Sequence, residues 1–433
     1  MLSLNDNLKN KSFLIYGYGK SGRSAYTYLK KNNKTLIYDD NKKINKFFIS
    51  KKKVQLTQFD FIVISPGINI NKCSLKNYLK KNRGKIITDL DIFYLNNPNN
   101  LKITITGTNG KSTTAKLLFN ILKDQRKNVI LAGNIGVPIL STKKIRTNTI
   151  FVIEASSYQI DYSQYFKTNY AFILNISPDH LDRHKSIQKY AYAKLKLILN
   201  QKKNFHAFIE NNKYLNKEIK KNKIQSKIIR VKKDINKIKE LISNDYFKNI
   251  NNLKNLSFIL DFAKVYKLNK TKLLKTVNLF KGLDFRQQII YKNKFVTIIN
   301  DSKSTSFSSS INLLKSYKNI FWILGGLAKK GDKFKLNSKY YKNIKGYIFG
   351  RDKNFFIKKL NNNIPSKAYK NLESILKIII KEIKLNKNKH SYVLFSPSAA
   401  SFDQFKNFED RGNYFNNLIK KIKFIKKINA QSK

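Results

Sequence analysis

The segment Thr106-Gly107-Thr108-Asn109-Gly110-Lys111-Ser112-Thr113 connects a predicted strand at 101–105 to a predicted helix at 115–122. The first flank alternates in polarity like a strand, and the second repeats apolar residues at helical spacing. A glycine turn between them forms a phosphate cradle, because backbone N–H groups and the helix N-terminus face the anion. Lys111 can then reach terminal phosphates, and Ser112 can hold Mg²⁺. Position 105 is isoleucine where the strict pattern has glycine, so the loop is predicted to be a shorter variant. A glycine turn after a strand can also serve packing alone, but the sequence Gly110-Lys111-Ser112-Thr113 favours nucleotide binding.

A second glycine turn lies near the N-terminus, between a predicted strand at 13–16 and a predicted helix at 23–30. The segment Gly17-Tyr18-Gly19-Lys20-Ser21-Gly22 has G-x-G-x-x-G spacing, and Asp39 follows about twenty positions later, after a strand at 35–38. This spacing is typical of dinucleotide folds and by itself would indicate an NAD-dependent dehydrogenase. Many βαβ units use the same turn for packing or for another nucleotide. Two such turns in one chain predict two nucleotide-like ligands.

Length and composition indicate a folded intracellular protein of about three domains. The 433 residues are 41% hydrophobic and 13% aromatic with only six prolines, which argues against intrinsic disorder. No apolar run approaches the roughly 18 residues of a membrane helix. Residues 1–12 are polar and do not resemble a signal peptide. Cys73 is the single cysteine, so no intrachain disulfide can form, and we expect a cytoplasmic protein without membrane insertion.

The net charge of +61 would ordinarily indicate a nucleic-acid partner. However, the 87 basic residues are 78 lysines and only 9 arginines. Arginine is preferred for bidentate contacts to phosphates and bases, so its scarcity argues against a specific nucleic-acid site. Lysine accompanies Asn, Ile, Phe and Tyr throughout, which indicates a codon bias. The few arginines that are present despite this bias, among them Arg183, Arg286 and Arg411, are candidates for specific roles. Non-specific attraction to polyanions is expected at low salt.

Strand-like and helix-like segments alternate along the chain, which predicts an α/β fold with parallel sheets. Further strands are predicted at 59–65, 86–89, 149–153, 170–174, 321–324, 346–349 and 392–395. A third alternating region begins at Val296. The stretch 201–252 is rich in Lys and Asn, and we predict only a few short elements there.

Polar clusters follow two of these strands, where open α/β sheets bind their ligands. Glu154 ends the strand at 149–153, and Asn175-Ile176-Ser177-Pro178-Asp179-His180-Leu181-Asp182 follows the strand at 170–174. A carboxylate and an imidazole at neighbouring strand ends could hold Mg²⁺ beside phosphates. Taken singly, Glu154 could be a helix cap and His180 a structural histidine. Their shared placement favours the functional interpretation.

Together these motifs resemble the Mur ligases, ATP-dependent enzymes that add amino acids to the peptidoglycan precursor. The resemblance covers nearly the whole chain and is most specific at 396–412, which is similar to the D-glutamate-adding members. The chain departs from the family at Asp284, where relatives carry Pro, and at 201–252. The matching segments are 107–113, 133–136, 154–157, 175–182, 190–194, Asn252 with Asn255, Arg286, 300–305 and 396–412.

The resemblance implies three domains: a Rossmann-like domain at 1–91 for the UDP substrate, a P-loop-type ATPase domain at 92–283, and a Rossmann-like domain at 284–433 for D-glutamate. It implies ATP and Mg²⁺ as cofactors and UDP-N-acetylmuramoyl-L-alanine as the acceptor. The carboxylate of the acceptor would be converted to an acyl phosphate before the amino acid is added. The resemblance implies that this reaction belongs to cell-wall synthesis in the cytoplasm, on which cell shape and division depend. We expect a monomer. A folylpolyglutamate-type ligase, an NAD-dependent dehydrogenase and a basic nucleic-acid-associated ATPase are the alternatives.

The resemblance also implies roles for individual residues. Lys111, His180 and Lys194 would be catalytic, with Lys194 carrying a carbamate, and whether Lys329 or Lys330 faces D-glutamate is left open. The metal ligands would be Ser112, Glu154, His180 and Lys194. ATP would contact Gly107, Thr108, Asn109, Gly110, Lys111, Ser112, Thr113, Asn252, Asn255, Arg286 and Asp301. The UDP substrate and D-glutamate would contact Lys20, Ser21, Asp39, Ser65, Pro66, Gly67, Asn134, Ser156, Lys303, Thr305, Lys329, Ser401, Phe402 and Phe408.

Overall fold

The computed structural model describes residues 8–41, 47–232, 234–329, 331–360, 363–385 and 389–422. They form two compact units, one within 1–241 together with 254–277, and the other within 242–253 together with 278–433. No helix among the described residues is both long and apolar enough to cross a membrane.

The strands form three sheets, each with parallel pairs at its centre. The first sheet has the order β2-β1-β3-β4, the second β10-β9-β8-β5-β7-β6, and the third β11-β12-β16-β13-β14-β15. The strands are β1 (Ser12–Tyr16), β2 (Lys34–Tyr38), β3 (Phe61–Ile64), β4 (Ile86–Ile87), β5 (Leu101–Thr106), β6 (Val129–Gly133), β7 (Ile150–Glu154), β8 (Tyr170–Ile173), β9 (His206–Ile209), β10 (Lys227–Arg230), β11 (Gln288–Lys292), β12 (Val296–Asn300), β13 (Ile320–Gly325), β14 (Ile344–Phe349), β15 (Ser366–Ala368) and β16 (Ser391–Phe395).

Helices follow most strands, as parallel pairing requires. They are α1 (Lys20–Leu29), α2 (Lys51–Leu56), α3 (Lys76–Lys81), α4 (Asp89–Asn96), α5 (Lys111–Asp124), α6 (Ser157–Tyr162), α7 (Leu181–His184), α8 (Ile187–Leu199), α9 (Lys213–Lys221), α10 (Ile235–Leu241), α11 (Ile250–Val265), α12 (Lys270–Leu279), α13 (Phe307–Leu314), α14 (Lys353–Leu360), α15 (Leu372–Leu385) and α16 (Phe408–Lys421).

The second sheet places three polar strand ends side by side. Strand β5 pairs with β7 on one side and β8 on the other, with Ile105 opposite Glu154 and Thr106 opposite Ile173. The β7 strand is buried along its whole length, as expected for a parallel sheet covered on both faces. The phosphate-loop segment, Glu154 and the segment after β8 therefore emerge at one edge of the sheet.

The third sheet is mixed. Strand β11 runs antiparallel to β12, whereas β12, β16, β13, β14 and β15 pair in parallel. Strand β13 is fully buried, and Trp322 at its centre donates its indole N–H to the carbonyl of Ser396, 2.8 Å away. Segments following β12, β13 and β16 carry the predicted amino-acid-binding residues.

The predicted α/β class is confirmed, and every strand predicted from sequence has a counterpart. Within 201–252 the structure forms β9, α9, β10 and α10, in agreement with the prediction of a few short elements. The domain limits 1–91, 92–283 and 284–433 stay predictions.

Candidate active site

The loop at 106–113 has the geometry of a phosphate cradle. Gly110 has φ +85° and immediately precedes α5, whose first residue is Lys111. A side chain there would be strained by the backbone angle and would also overlap the amide of Asn255. Glycine at 110 therefore allows both the turn and the close approach of α11, on which Asn255 lies against the loop. The expected contact of Asn255 with ATP stays a prediction.

Asn175, which follows β8, holds this loop in shape. Its Oδ1 accepts the N–H groups of Thr108 and Asn109, at 3.1 and 2.8 Å, and its Nδ2 donates to the carbonyl of Asn109 at 3.0 Å. The Thr108 hydroxyl donates in turn to the carbonyl of Ser177 at 3.3 Å. Asn175 was quoted in the sequence motif but not assigned a role. Its position directly after the strand next to β5 is the signal that could have found it.

The Lys111 side chain bends back over the loop. Its Nζ donates to the carbonyls of Gly107 and Thr108 at 3.0 and 2.9 Å. Ser112, in the first turn of α5, is buried, and Thr113 is half-buried. The ammonium thus lies over the loop. When ATP binds, its terminal phosphates would replace the two carbonyls as the hydrogen-bond acceptors of Lys111.

Glu154 is the buried carboxylate beside this loop. It is 5% exposed, and its Oε2 has no hydrogen-bond partner among the described residues. A buried carboxylate oxygen without a partner is costly unless a ligand satisfies it. The carbonyl of Glu154 accepts the N–H of Asn134 at 3.0 Å, and Ser156, two residues later, caps α6 through the N–H of Gln159 at 3.2 Å.

Lys194, on α8, is buried against the same loop. It is 1% exposed, and its Nζ donates to the Gly107 carbonyl at 2.9 Å and to the Thr106 hydroxyl at 3.3 Å. The ring of Tyr190 lies below it, 4.6 Å from Nζ to the ring centroid. Burial, reinforced by the charge of Lys111, holds the pKa of Lys194 well below its usual value. This shift favours the uncharged amine relative to the ammonium.

His180 immediately precedes α7 and has a left-handed conformation, with φ +53°. Its Nε2 lies 3.5 Å from Oδ2 of Asp179, and its ring centroid lies 5.1 Å from that of Tyr158. Burial lowers the pKa of His180, and the nearby charges of Lys111 and Lys194 lower it further, against Asp179. A neutral imidazole is the form that binds a metal ion.

These side chains fit Mg²⁺ only as a partial set. Among the described ranges, no group of three or more His, Cys, Asp or Glu side chains is arranged to hold a metal ion. The unpartnered oxygen of Glu154 fits a cation, and the Ser112 hydroxyl lies at the start of the neighbouring helix. The ammonium form of Lys194 would repel a cation, whereas its neutral amine would not.

The first sheet carries the residues predicted to contact the UDP substrate. Asp39 accepts the N–H of Tyr18 at 2.6 Å, inside the first glycine turn. The hydroxyl of Ser65 donates to the carbonyl of Gly17 at 2.8 Å, which fastens the loop after β3 to the same turn. Lys20 and Ser21 open α1, with Lys20 exposed, and Gly67 is exposed beside Pro66. The six predicted residues thus lie at the carboxyl ends of β1, β2 and β3.

In the second unit, Asp301 is a buried carboxyl group after β12. It accepts the Ser396 hydroxyl at 2.8 Å and the N–H of Gln287 at 3.1 Å. Burial raises the pKa of Asp301 to about 7, against the lowering effects of these hydrogen bonds and of Arg286 and Arg411. Asn252 also belongs to this unit, where its amide donates to the carbonyl of Tyr246 at 2.9 Å.

The loops after β12, β13 and β16 converge in this unit. Leu327 and Ala400 pair as an isolated bridge. The hydroxyl of Ser302 donates to the carbonyl of Phe408 at 2.8 Å, and Nζ of Lys303 lies 3.8 Å from the Phe408 ring centroid. These contacts bring together the segments that carry the predicted D-glutamate residues.

Burial differs among those predicted residues. Ser401 is 3% exposed and its carbonyl accepts the N–H of Phe405 at 2.9 Å, whereas Phe402 is 72% exposed. Thr305 and Lys329 are exposed. Lys330, the alternative to Lys329, lies outside the described residues.

Arg411 is a fully buried arginine in α16. It was singled out from the sequence as one of the few arginines but was assigned no role. Its guanidinium donates to the Ser302 hydroxyl at 3.1 Å and to the carbonyls of Ser302 and Ala399 at 2.7 and 3.0 Å. Burial lowers the pKa of Arg411 to about 10. Arg411 therefore connects the loop after β12 to the loop after β16 through hydrogen bonds.

The sequence of this chain matches those of known proteins. Residues 105–272 match the family model of the Mur ligase middle domain. A UDP-N-acetylmuramoylalanine–D-glutamate ligase of Francisella philomiragia is 33% identical over 96% of this chain and 99% of its own length. The protein of the same name from Rickettsia prowazekii is 32% identical over 95% of this chain and 98% of its length.

Solved structures show the same fold at low identity. A MurF ligase from Thermotoga maritima in complex with ADP has a TM-score of 0.54 at 16% identity, covering 98% of both chains. At this identity the likeness is one of fold.

Proposed function

Because the chain belongs to the Mur ligase family, we propose that it joins D-glutamate to UDP-N-acetylmuramoyl-L-alanine with consumption of ATP, in peptidoglycan precursor synthesis. The observation that carries the proposal is the length of the match. Relatives named for this reaction align with 95–96% of the chain, including the third sheet with its predicted amino-acid site. The ATP-dependent ligase activity follows from the family, and the phosphate cradle supports it.

The proposed reaction requires positive charge at the site more than it requires a covalent nucleophile. A carboxylate is a poor acyl donor, so the L-alanyl carboxylate first accepts the γ-phosphoryl group of ATP and becomes an acyl phosphate. The amine of D-glutamate then attacks the acyl carbon, and phosphate leaves with the former carboxylate oxygen. The site must hold two anions in line, and Lys111 at the mouth of the cradle would cancel part of their repulsion.

Magnesium would supply the remaining positive charge. Ser112 and Glu154 would hold one Mg²⁺, supported by the unpartnered Oε2 of Glu154. His180 and a carbamate on Lys194 would hold a second. The lowered pKa of Lys194 favours this modification, because an uncharged amine adds CO₂ and loses a proton to give a carbamate, which is an anionic oxygen ligand.

The substrate groups would be distributed among the three sheets. The UDP end would be bound by Lys20 and Ser21 of the first glycine turn, by Asp39 after β2 and by the loop at 65–67. Asn134 and Ser156 would lie further along the same substrate. Asn252, Asn255, Arg286 and Asp301 would contact the nucleotide of ATP. The residues proposed for D-glutamate are Lys303, Thr305, Lys329, Ser401, Phe402 and Phe408.

The cellular setting is part of the proposal. We propose a cytoplasmic monomer with domains at 1–91, 92–283 and 284–433 and without a specific nucleic-acid partner. The precursor it extends is used in building the wall that sets cell shape and permits division.

A panel of amino acids tests the assignment most economically. Phosphate release would be measured with ATP, Mg²⁺ and UDP-N-acetylmuramoyl-L-alanine, with each amino acid added in turn and the product mass determined. Only D-glutamate should give rapid release and a product heavier by one glutamyl residue. Rapid release with a folate-type acceptor and no release with the UDP substrate would favour the folylpolyglutamate-type alternative.

A further inference from the structure

Arg183 connects the segment that carries His180 to the loop after β3. Its Nη1 donates to the carbonyl of Pro66 and its Nη2 to the carbonyl of Ile68, both at 2.6 Å. The two carbonyls flank Gly67, which has no side chain of its own to anchor the loop. One guanidinium therefore holds two carbonyls of the same loop through charge-assisted hydrogen bonds.

The other face of Arg183 is fixed by aromatic rings. Its guanidinium carbon lies 3.8 Å from the ring centroid of Tyr158, which is within cation–π range. The Tyr158 ring is stacked on His184 at 5.3 Å, and the Nε2 of His184 lies 3.0 Å from the hydroxyl of Ser157. Tyr158 also contacts His180. The position of the guanidinium is thus coupled to the orientation of the His180 segment.

A lysine could not replace this arrangement. The planar guanidinium presents two N–H groups to two carbonyls at once, whereas an ammonium is a single point of attachment. Lysine supplies 78 of the 87 basic residues of this chain, yet arginine occupies this position. The chemistry of the contact, and not charge alone, explains the arginine.

We propose that Arg183 is a positioning residue that couples occupancy of the loop at 65–67 to the ordering of the segment at 179–184. The proposal rests on the proposed function, in which the loop binds the UDP substrate and His180 lies beside the phosphates. Binding of the UDP substrate stabilises the loop. Because Arg183 is hydrogen-bonded to that loop, the conformation of α7 is stabilised as well. The acceptor then helps to assemble the site at which its own carboxylate is activated.

The test compares the unmodified protein with Arg183→Lys and with Arg146→Lys, a matched change of an exposed arginine in the same unit. Hydrogen–deuterium exchange is followed in peptides spanning 62–72 and 178–186, with and without UDP-N-acetylmuramoyl-L-alanine. Without ligand, Arg183→Lys should increase exchange in both peptides, and Arg146→Lys in neither. With ligand, the peptide at 178–186 should become protected in the unmodified protein and remain unprotected in Arg183→Lys.

Binding and kinetics give the second readout. Arg183→Lys should raise the Kd of the UDP substrate, measured calorimetrically without ATP, at least fivefold, with the KM values for ATP and D-glutamate changed less than twofold. A general structural defect would change all three constants together. If Arg183→Lys does not fold, Tyr158→Leu, which removes the stacked ring, should shift exchange and Kd in the same direction by a smaller factor.

The possible outcomes separate the two claims. Unchanged exchange and unchanged Kd in Arg183→Lys, or in Tyr158→Leu where that variant carries the test, overturn the positioning role and leave the proposed function intact. Absence of D-glutamate-dependent phosphate release in the unmodified protein contradicts the proposed function. The exchange of the two peptides without ligand still decides whether Arg183 links them.

Discussion

The Nζ of Lys194 lies 2.9 Å from the carbonyl oxygen of Gly107, so a fully buried lysine contacts the first glycine of the phosphate-binding loop. Burial and the charge of Lys111 lower the pKa of Lys194 well below its usual value, which favours the neutral amine. In its uncharged form this amine cannot serve as a strong electrostatic anchor for phosphate. It can, however, accept CO₂ and become an anion that attracts a metal ion, which is why we propose a carbamate there.

Replacement of Lys194 by alanine should abolish most turnover, because the proposed anionic ligand is lost. Short carboxylic acids should restore part of the activity by placing a carboxylate in the vacated space. The measurement is phosphate release at increasing acetate or propionate concentration. Lys189→Ala, an exposed lysine on the same helix, is the control and should be unaffected. Full activity of Lys194→Ala without added acid would refute the role.

Lys111→Ala should abolish turnover and leave binding of the UDP substrate nearly unchanged. The Lys111 ammonium lies over the phosphate loop, whereas the proposed UDP contacts follow β1, β2 and β3. Calorimetric titration with the UDP substrate and a rate assay separate the two effects, with Lys123→Ala at the other end of α5 as the control. Loss of UDP-substrate affinity in Lys111→Ala would contradict the division of sites.

Gly110→Ala should weaken ATP binding at least about tenfold, because the new methyl group meets the Asn255 amide and the backbone angle of +85° disfavours a side chain. Affinity for the UDP substrate should change less than twofold. Gly84→Ala is the matched control, because among the described residues no atom other than those of the adjacent backbone lies within 4 Å of the added carbon there. Equal ATP affinity of the two variants would show that the loop tolerates a side chain.

The stability of Asp301→Asn relative to the unmodified protein should rise with pH. The pKa of Asp301 is about 7 in the folded state and near 3.8 in an unfolded chain, so between these values the folded state holds a proton that the unfolded state releases. The Asp301 contribution to the free energy of unfolding therefore declines as pH rises through this window and is constant above it. The full difference is at most about 4 kcal/mol.

Asparagine resembles the protonated acid and does not titrate. The difference in melting temperature between Asp301→Asn and the unmodified protein, measured at pH 5 and pH 8, should favour the variant more at pH 8. A difference that is independent of pH would show that Asp301 is charged in the folded protein across this range.

Much of the fold followed from the sequence, because buried parallel strands leave near-continuous apolar runs. Strands β7 and β8 were predicted to within one residue at each end. The stretch 201–252 could not be resolved into its elements from sequence, because Lys and Asn obscure the helical period of α9 and the exposed edge strand β10. The periodicity of apolar residues, from which helices and strands are predicted, is weak where few residues are buried.

The candidate site was predicted less completely. Strand-end position made Glu154 and His180 candidates, and the glycine loop made Lys111 a candidate; their roles stay predictions. The contacts of Asn175 with the loop and of Arg183 with Pro66 join residues more than sixty positions apart, which no local pattern encodes. The burial of Lys194 could not be derived from residue type, because lysine in this chain is nearly everywhere a surface residue.

The choice between the two isomers of glutamate tests the central claim most directly. Initial rates of phosphate release would be measured with ATP, Mg²⁺ and UDP-N-acetylmuramoyl-L-alanine, with D-glutamate or L-glutamate as the amine. A site that pairs two carboxylates and one amine in a fixed chiral arrangement leaves a charge unpaired with the wrong isomer, so D-glutamate should be faster by at least about a hundredfold. Equal rates with the two isomers, or phosphate release that does not require glutamate, would contradict the assignment.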